Sequence, residues 1–106
     1  MIALLTTPLK LWAKAYEAVT GGEKITEQEL MTVAERTRTL ERLFTLKHGD
    51  RKDDLSPRLF RDEPKLDREK LEGGMKRVYY SLRGGWDENG VPKPETIEKL
   101  GLGDLV

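Results

Sequence analysis

Apolar positions recur at three- and four-residue spacing along most of this chain, which predicts helices. Leu9, Trp12, Ala13, Tyr16 and Val19 mark a first helix over about residues 8 to 20. Thr7-Pro8 reads as its N-cap and N1 pair, and Gly21 sits where a C′ glycine belongs. Thr26 with Glu29 three residues on forms a capping box, and Ile25 and Leu30 form a hydrophobic staple around it. The second helix then carries Leu30, Val33, Ala34, Thr37, Leu40 and Phe44 on one face, with Leu43 beside them. Thr32, Glu35, Arg38 and Arg42 occupy the other face, which is expected to be solvated. Lys47 and His48 suit the helix C-terminal dipole, and Gly49 is the stop.

Residues 50–65 break the period. The run Asp50-Arg51-Lys52-Asp53-Asp54 is charged, and Pro57 and Pro64 punctuate the rest of the stretch. Leu55, Leu59 and Phe60 give it apolar anchors, so it reads as an ordered, packed loop. A third helix starts at Asp67, with Leu71, Met75, Val78, Tyr79 and Leu82 as its stripe. Gly73 and Gly74 lie inside it at a cost of ~1 kcal/mol each against alanine. They predict either a break or the close approach of another backbone. Gly84 to Gly90 is a turn region, and Pro94 opens a short fourth helix stopped by Gly101. The expected architecture is all-α, with three main helices, a short C-terminal helix and one ordered charged loop. All of it belongs to a single helical domain over residues 1–106.

Composition narrows the chemistry. Nineteen Lys+Arg balance nineteen Asp+Glu, which disfavours a nucleic-acid-binding surface, including a helix-turn-helix reading. The chain has no cysteine, so these residues hold no disulfide and no cysteine-ligated zinc or iron–sulfur cluster. No run approaches the ~20 apolar residues of a membrane span. Met1-Ile2-Ala3-Leu4-Leu5 is too short for a signal peptide and lacks a basic flank, which leads to a cytoplasmic expectation.

Candidate catalytic groups are sparse. His48 would need an orienting partner, and Asp50 and Asp53 are the carboxylates nearest in sequence; a helix-terminal histidine explains it better. Asp53 and Asp54 have the oxygen chemistry of a cation site, but Arg51 and Lys52 beside them favour internal neutralisation or capping of helix ends. Neither glycine pair has phosphate-loop spacing, and Ser56 and Ser81 lack a nucleophile-elbow context. Arg36, Arg38 and Arg42 could meet phosphates, but interspersed Glu35 and Glu41 favour a solvated face. Trp12, Tyr16, Tyr79 and Tyr80 read as core or interface aromatics.

Three stretches, in order, carry a family resemblance. They are Val33-Ala34-Glu35-Arg36 through Leu40-Glu41-Arg42-Leu43-Phe44 to Lys47; Gly49 to Asp54 with Pro57-Arg58; and Tyr79-Tyr80-Ser81-Leu82-Arg83 through Trp86-Asp87-Glu88-Asn89-Gly90 to Leu102. Together they resemble the C-terminal end of tungsten-containing aldehyde ferredoxin oxidoreductases. Ala15 to Gly21 resembles that family's preceding helix. The chain departs from the pattern in a shortened loop at Gly49-Asp50-Arg51, an added glycine at Gly84-Gly85, and Lys93 in place of a capping threonine. Gly73 and Gly74 stand where the family carries better helix formers.

The resemblance implies a helical C-terminal domain or subunit of an oxidoreductase that is not catalytic alone. The parent class oxidises aldehydes to carboxylates with a tungstopterin centre, and a four-iron cluster passes electrons to ferredoxin. The family's cofactor ligands precede this stretch, so no cofactor and no catalytic or metal-binding residue is carried over to this chain. Arg51, Lys52, Asp53 and Asp54 are the residues expected to make ordered loop contacts. The expected partner is the remaining tungstopterin and iron–sulfur part of the enzyme, or a second copy of this chain, with no nucleic acid and no membrane. The alternative is a free-standing helical interaction module that keeps the fold without the chemistry.

Overall fold

The computed structural model describes residues 6–49 and 52–105. Their regular structure is almost entirely helical: α1 (Leu9–Val19), α2 (Glu27–His48), α3 (Pro57–Asp62), α4 (Arg68–Lys70), α5 (Lys76–Arg83) and α6 (Pro94–Lys99). A π turn, Leu71–Met75, joins α4 to α5, and a 3-10 turn, Gly103–Leu105, comes after α6. Among the described residues the sole β pairing is one antiparallel bridge between Trp86 and Pro92. The all-α expectation holds. No described helix is long and apolar enough to cross a membrane.

Helix ends obey the local sequence closely. Thr26 N–H donates to Glu29 Oε2 at 2.7 Å, and Glu29 N–H donates to Thr26 Oγ1 at 3.0 Å, closing the capping box. The Thr26 contacts, backbone first, hold the Glu29 carboxyl below its ordinary value. Asp67 accepts from the Glu69 and Lys70 amides at 2.9 and 3.2 Å, starting α4 as expected. At the end of α1, Gly21 takes φ +78° and Gly22 N–H reaches Glu17 O at 2.8 Å, a Schellman closure. The same closure ends α6, where Gly101 has φ +66° and Leu102 N–H reaches Ile97 O at 2.9 Å. The start of α1 differs by one residue. Pro8, with extended backbone, takes the N-cap place and Leu9 is the first helical residue.

The contacts divide the chain into two units, residues 1–37 and 38–106, with the division inside α2. In the first unit, Ala13 is buried, while Trp12, Tyr16 and Val19 on the same helix are exposed. Ile25 and Leu30, the expected staple, are half-buried. In the second unit the buried residues include Tyr80, Trp86 and Leu102, the last only 1 % exposed. Gly85 admits the close approach of α6, because a Cβ there would collide with the Thr96 side chain.

Three expectations are corrected. The stretch 50–65 is not wholly loop, because Pro57 at N1 starts the short helix α3. The periodic stripe of α2 is not its buried side. Val33, Leu40 and Phe44 are exposed, and Thr39 and Arg42 are the residues of α2 that are buried. Gly73 and Gly74 do not break the helix, and among the described residues no other backbone packs onto them. They sit in the π turn, which keeps residues 68–83 continuous, and nothing lies within 4 Å of a Cβ built at either.

Gly74→Ala therefore gains helix propensity without a clash, and thermal unfolding should show a stabilisation of up to about 1 kcal/mol. Thr26→Ala should cost about 1 kcal/mol by the same measurement. Because the Glu29 carboxyl is held below its ordinary 4.5, the capping contribution is present above that pH. It should fade as pH falls through the lowered folded value, visible as a pH-dependent narrowing of the gap between wild type and Glu29→Gln.

Candidate functional site

A polar cluster in the second unit is built around a buried cation. Arg42 lies in the second half of α2 and is 4 % exposed. Its Nε donates to Gly90 O at 2.8 Å, and Nη2 stands 3.5 Å from Asn89 O. Nη1 pairs with Asp53 Oδ1 at 3.2 Å. The other Asp53 oxygen, Oδ2, accepts from the Tyr80 hydroxyl at 2.8 Å. One carboxylate thus ties α2 to α5, and the guanidinium ties both to the turn after α5. The solvated face expected for Arg42 is overturned: the guanidinium is enclosed, with Nε bonded to a backbone carbonyl and its charge paired with the Asp53 carboxylate.

The acceptors are placed by a compact turn. Asp87 Oδ1 accepts from Asn89 N–H at 2.8 Å and Val91 N–H at 2.9 Å, an Asx arrangement. Asp87 N–H donates to Val91 O at 2.8 Å, next to the Trp86–Pro92 bridge. These bonds aim the Asn89 and Gly90 carbonyls at Arg42. Gly90 is required twice over. Its φ is +73°, and a Cβ there would lie 2.5 Å from Tyr80 Cζ. Trp86 closes the aromatic side, its ring 6.2 Å from Tyr80 and under the Arg83 guanidinium at 4.9 Å.

Electrostatics make this a clasp. Burial, then the adjoining Asp53 carboxylate, pushes the Tyr80 hydroxyl up to about 12, so it stays a neutral donor. A phenol held this way is no general base near neutral pH. Beside it lies a cleft of about 450 Å³, in which Lys52, Lys76 and Arg77 face Asp53, Glu72 and Glu88. Lys76 and Glu72 neutralise each other at 2.9 Å. Equal numbers of both signs give the cleft no preference for an anion or a cation.

The residues singled out from the sequence have separate fates. Arg51 and Asp50 lie outside the described residues. Lys52 lines the cleft, and Asp53 is shared by Arg42 and Tyr80. Asp54 pairs with Arg68 at 3.1 Å and accepts from Leu55 N–H at 2.8 Å. The Arg68 bond, then the backbone amide, holds its carboxyl below the ordinary range. Arg68 also lies 4.2 Å over the Phe60 ring, so the pair fixes α3 beside α4. The two aspartates are thus engaged by arginines from other elements, Arg42 and Arg68, where the local reading favoured the neighbouring cations. His48 is exposed at the end of α2, its ring 4.8 Å from Phe44. Asp53, its candidate orienting group, is engaged elsewhere.

The cofactor question turns on donor atoms. The sequence supplies no cysteine thiolate, and the described residues hold no group of three or more His, Cys, Asp or Glu side chains able to hold a metal. Without a thiolate, the donor set present does not fit a cysteine-ligated four-iron cluster. What sequence reasoning missed was Arg42 and Tyr80 as the centre. A signal was there, because the three stretches that carried the resemblance supply Arg42, Asp53, and Tyr80 with Asn89-Gly90.

Residues 3–102 match the family model described as aldehyde ferredoxin oxidoreductase, domains 2 and 3. The chain belongs to the aldehyde ferredoxin oxidoreductase family. It is similar to the tungsten-containing aldehyde ferredoxin oxidoreductase of Pyrococcus furiosus, at 35 % identity over 92 residues, which covers 79 % of this chain. The chain spans 15 % of the length of that relative. No solved structure matches the chain. Within this family, the clasp belongs to the portion assigned to domains 2 and 3.

Arg42→Ala takes the cation from Asp53, which keeps only the Tyr80 hydroxyl, and the donor from two carbonyls, and should cost about 3 kcal/mol in denaturant unfolding. Asp53 is 42 % exposed on its side chain, so Asp53→Asn should cost less, about 1 kcal/mol. In an ultraviolet pH titration, one tyrosine should resist ionisation until about pH 12 and be absent in Tyr80→Phe. Since the folded value is raised, this contribution is complete below pH 10 and is lost as pH climbs from 10 to about 12.

Proposed function

We propose that this chain is the C-terminal helical part of a tungsten-dependent aldehyde-oxidising enzyme, and that it is catalytically inert alone. The observation that carries this reading is the match over residues 3–102 to domains 2 and 3 of the family, in a sequence without cysteine. The remaining polypeptide would hold the tungstopterin and a four-iron cluster, convert aldehydes to carboxylates and deliver electrons to ferredoxin in the cytoplasm. This chain contributes a pre-formed helical wall, its loop and turn locked by Arg42. As a single helical domain over residues 1–106, it would complete the packing of that larger body.

Exposed apolar side chains favour a part made to be covered. Phe44 is 66 % exposed and Leu82 80 %, in a chain whose charged fraction is 36 %. The same observation supports a second reading, a free-standing interaction module whose apolar faces meet a second copy of itself. The experiment that separates the two is affinity purification of the tagged full chain from its native cells, with peptide sequencing and elemental analysis. The first reading expects a cysteine-containing family polypeptide in stoichiometric amount, together with tungsten and iron. Recovery of the chain alone as a metal-free dimer supports the second and overturns the first. Tungsten or iron at one equivalent on the chain purified alone would contradict its inert role.

A further inference from the structure

The rod of residues 68–83 carries an apolar groove of about 720 Å³, lined by Gly73, Gly74, Met75, Val78 and Tyr79 with Lys70. Met75 is 64 % exposed and Val78 57 %, and Leu82 continues the same helix at 80 %. Large apolar groups left in water over successive turns mark a surface meant to be buried.

The glycines add the second half of the argument. Gly73 and Gly74 lie in a π turn within a continuous helical run, a feature enriched where a helix serves a function beyond its own fold. Neither has a positive φ, and a Cβ at either would meet nothing within 4 Å. Among the described residues, neither backbone conformation nor crowding calls for glycine. Bare backbone lining an open apolar groove leaves room for another body to pack closely against it.

The occupant is set by proportion. The chain spans 15 % of the length of its Pyrococcus relative, so most of the atoms able to cover the groove lie in the rest of that protein. We propose that the groove seats an apolar segment of the remaining tungstoenzyme polypeptide, whose backbone or bulky side chain packs onto Gly73 and Gly74. This rests on the function proposed above and names the surface through which it operates. The side-chain volume absent on this chain is supplied from the other side of the contact.

The test uses the full chain in its native cells, with the photoreactive residue p-benzoylphenylalanine in place of Val78, or of Phe44 as a second site. Cross-linked peptides are sequenced after irradiation. The Val78 probe should capture peptides of an aldehyde ferredoxin oxidoreductase polypeptide from outside the segment that matches this chain. Gly74→Leu should lower that yield by about tenfold or more while circular dichroism shows the helices intact. Gly74→Ala should raise the melting temperature of the isolated chain yet still weaken capture, a combination a purely internal role for the glycines does not produce.

Cross-links at Val78 to a second copy of this chain, to an unrelated protein or to nothing overturn the groove assignment. An unchanged yield in Gly74→Leu overturns the seat on the glycines. If Phe44 captures family peptides when Val78 does not, the proposed function stands and the groove alone falls. If neither site does, both fall.

Discussion

The second unit of this structure depends on one enclosed guanidinium. Burying a charge is expensive unless its donors are met, and Arg42 meets two carbonyls and a carboxylate. The apolar core around it is slight, with Tyr80, Trp86 and Leu102 among its buried members. A guanidinium suits the role because its fork is planar and rigid. Lysine in its place would offer a point charge and lose the separate directions in which the acceptors lie.

The supporting parts are arranged to keep those acceptors still. Asp87 organises the turn through its own side chain, Gly90 lets the backbone press on the Tyr80 ring, and Trp86 closes the stack. Asp53 is held from two sides, so the charged loop is anchored at its middle even though its neighbour Lys52 is exposed. Asp54 performs a similar office for α3 through Arg68. Two adjacent carboxylates with the chemistry of a cation site are each engaged by an arginine from another element.

Much of the fold was legible in short-range patterns. The capping box at Thr26 and Glu29, the cap at Asp67 and the glycine stop at Gly101 are rules that act within six residues, and each is met. Burial was less legible. Periodicity identifies which face of a helix is apolar and is silent on what covers it. Leu40, Phe44, Val78 and Leu82 obey the period and remain in water. Arg42 was misjudged for the complementary reason. Its helix neighbours include glutamates, which suggested a solvated face, but its decisive acceptors lie 47 and 48 residues away. The family resemblance drew on the same three stretches without revealing that they converge.

That separation has a kinetic side. Helices form within microseconds from local contacts, but a loop of 48 residues must close before Arg42 finds the Gly90 carbonyl. During synthesis, Asp53 follows α2 within a few residues, but the Asn89 and Gly90 carbonyls that complete the clasp come only at the far end of the unit. The unit of residues 38–106 should therefore settle only after nearly all of its chain is present, as one late and cooperative event.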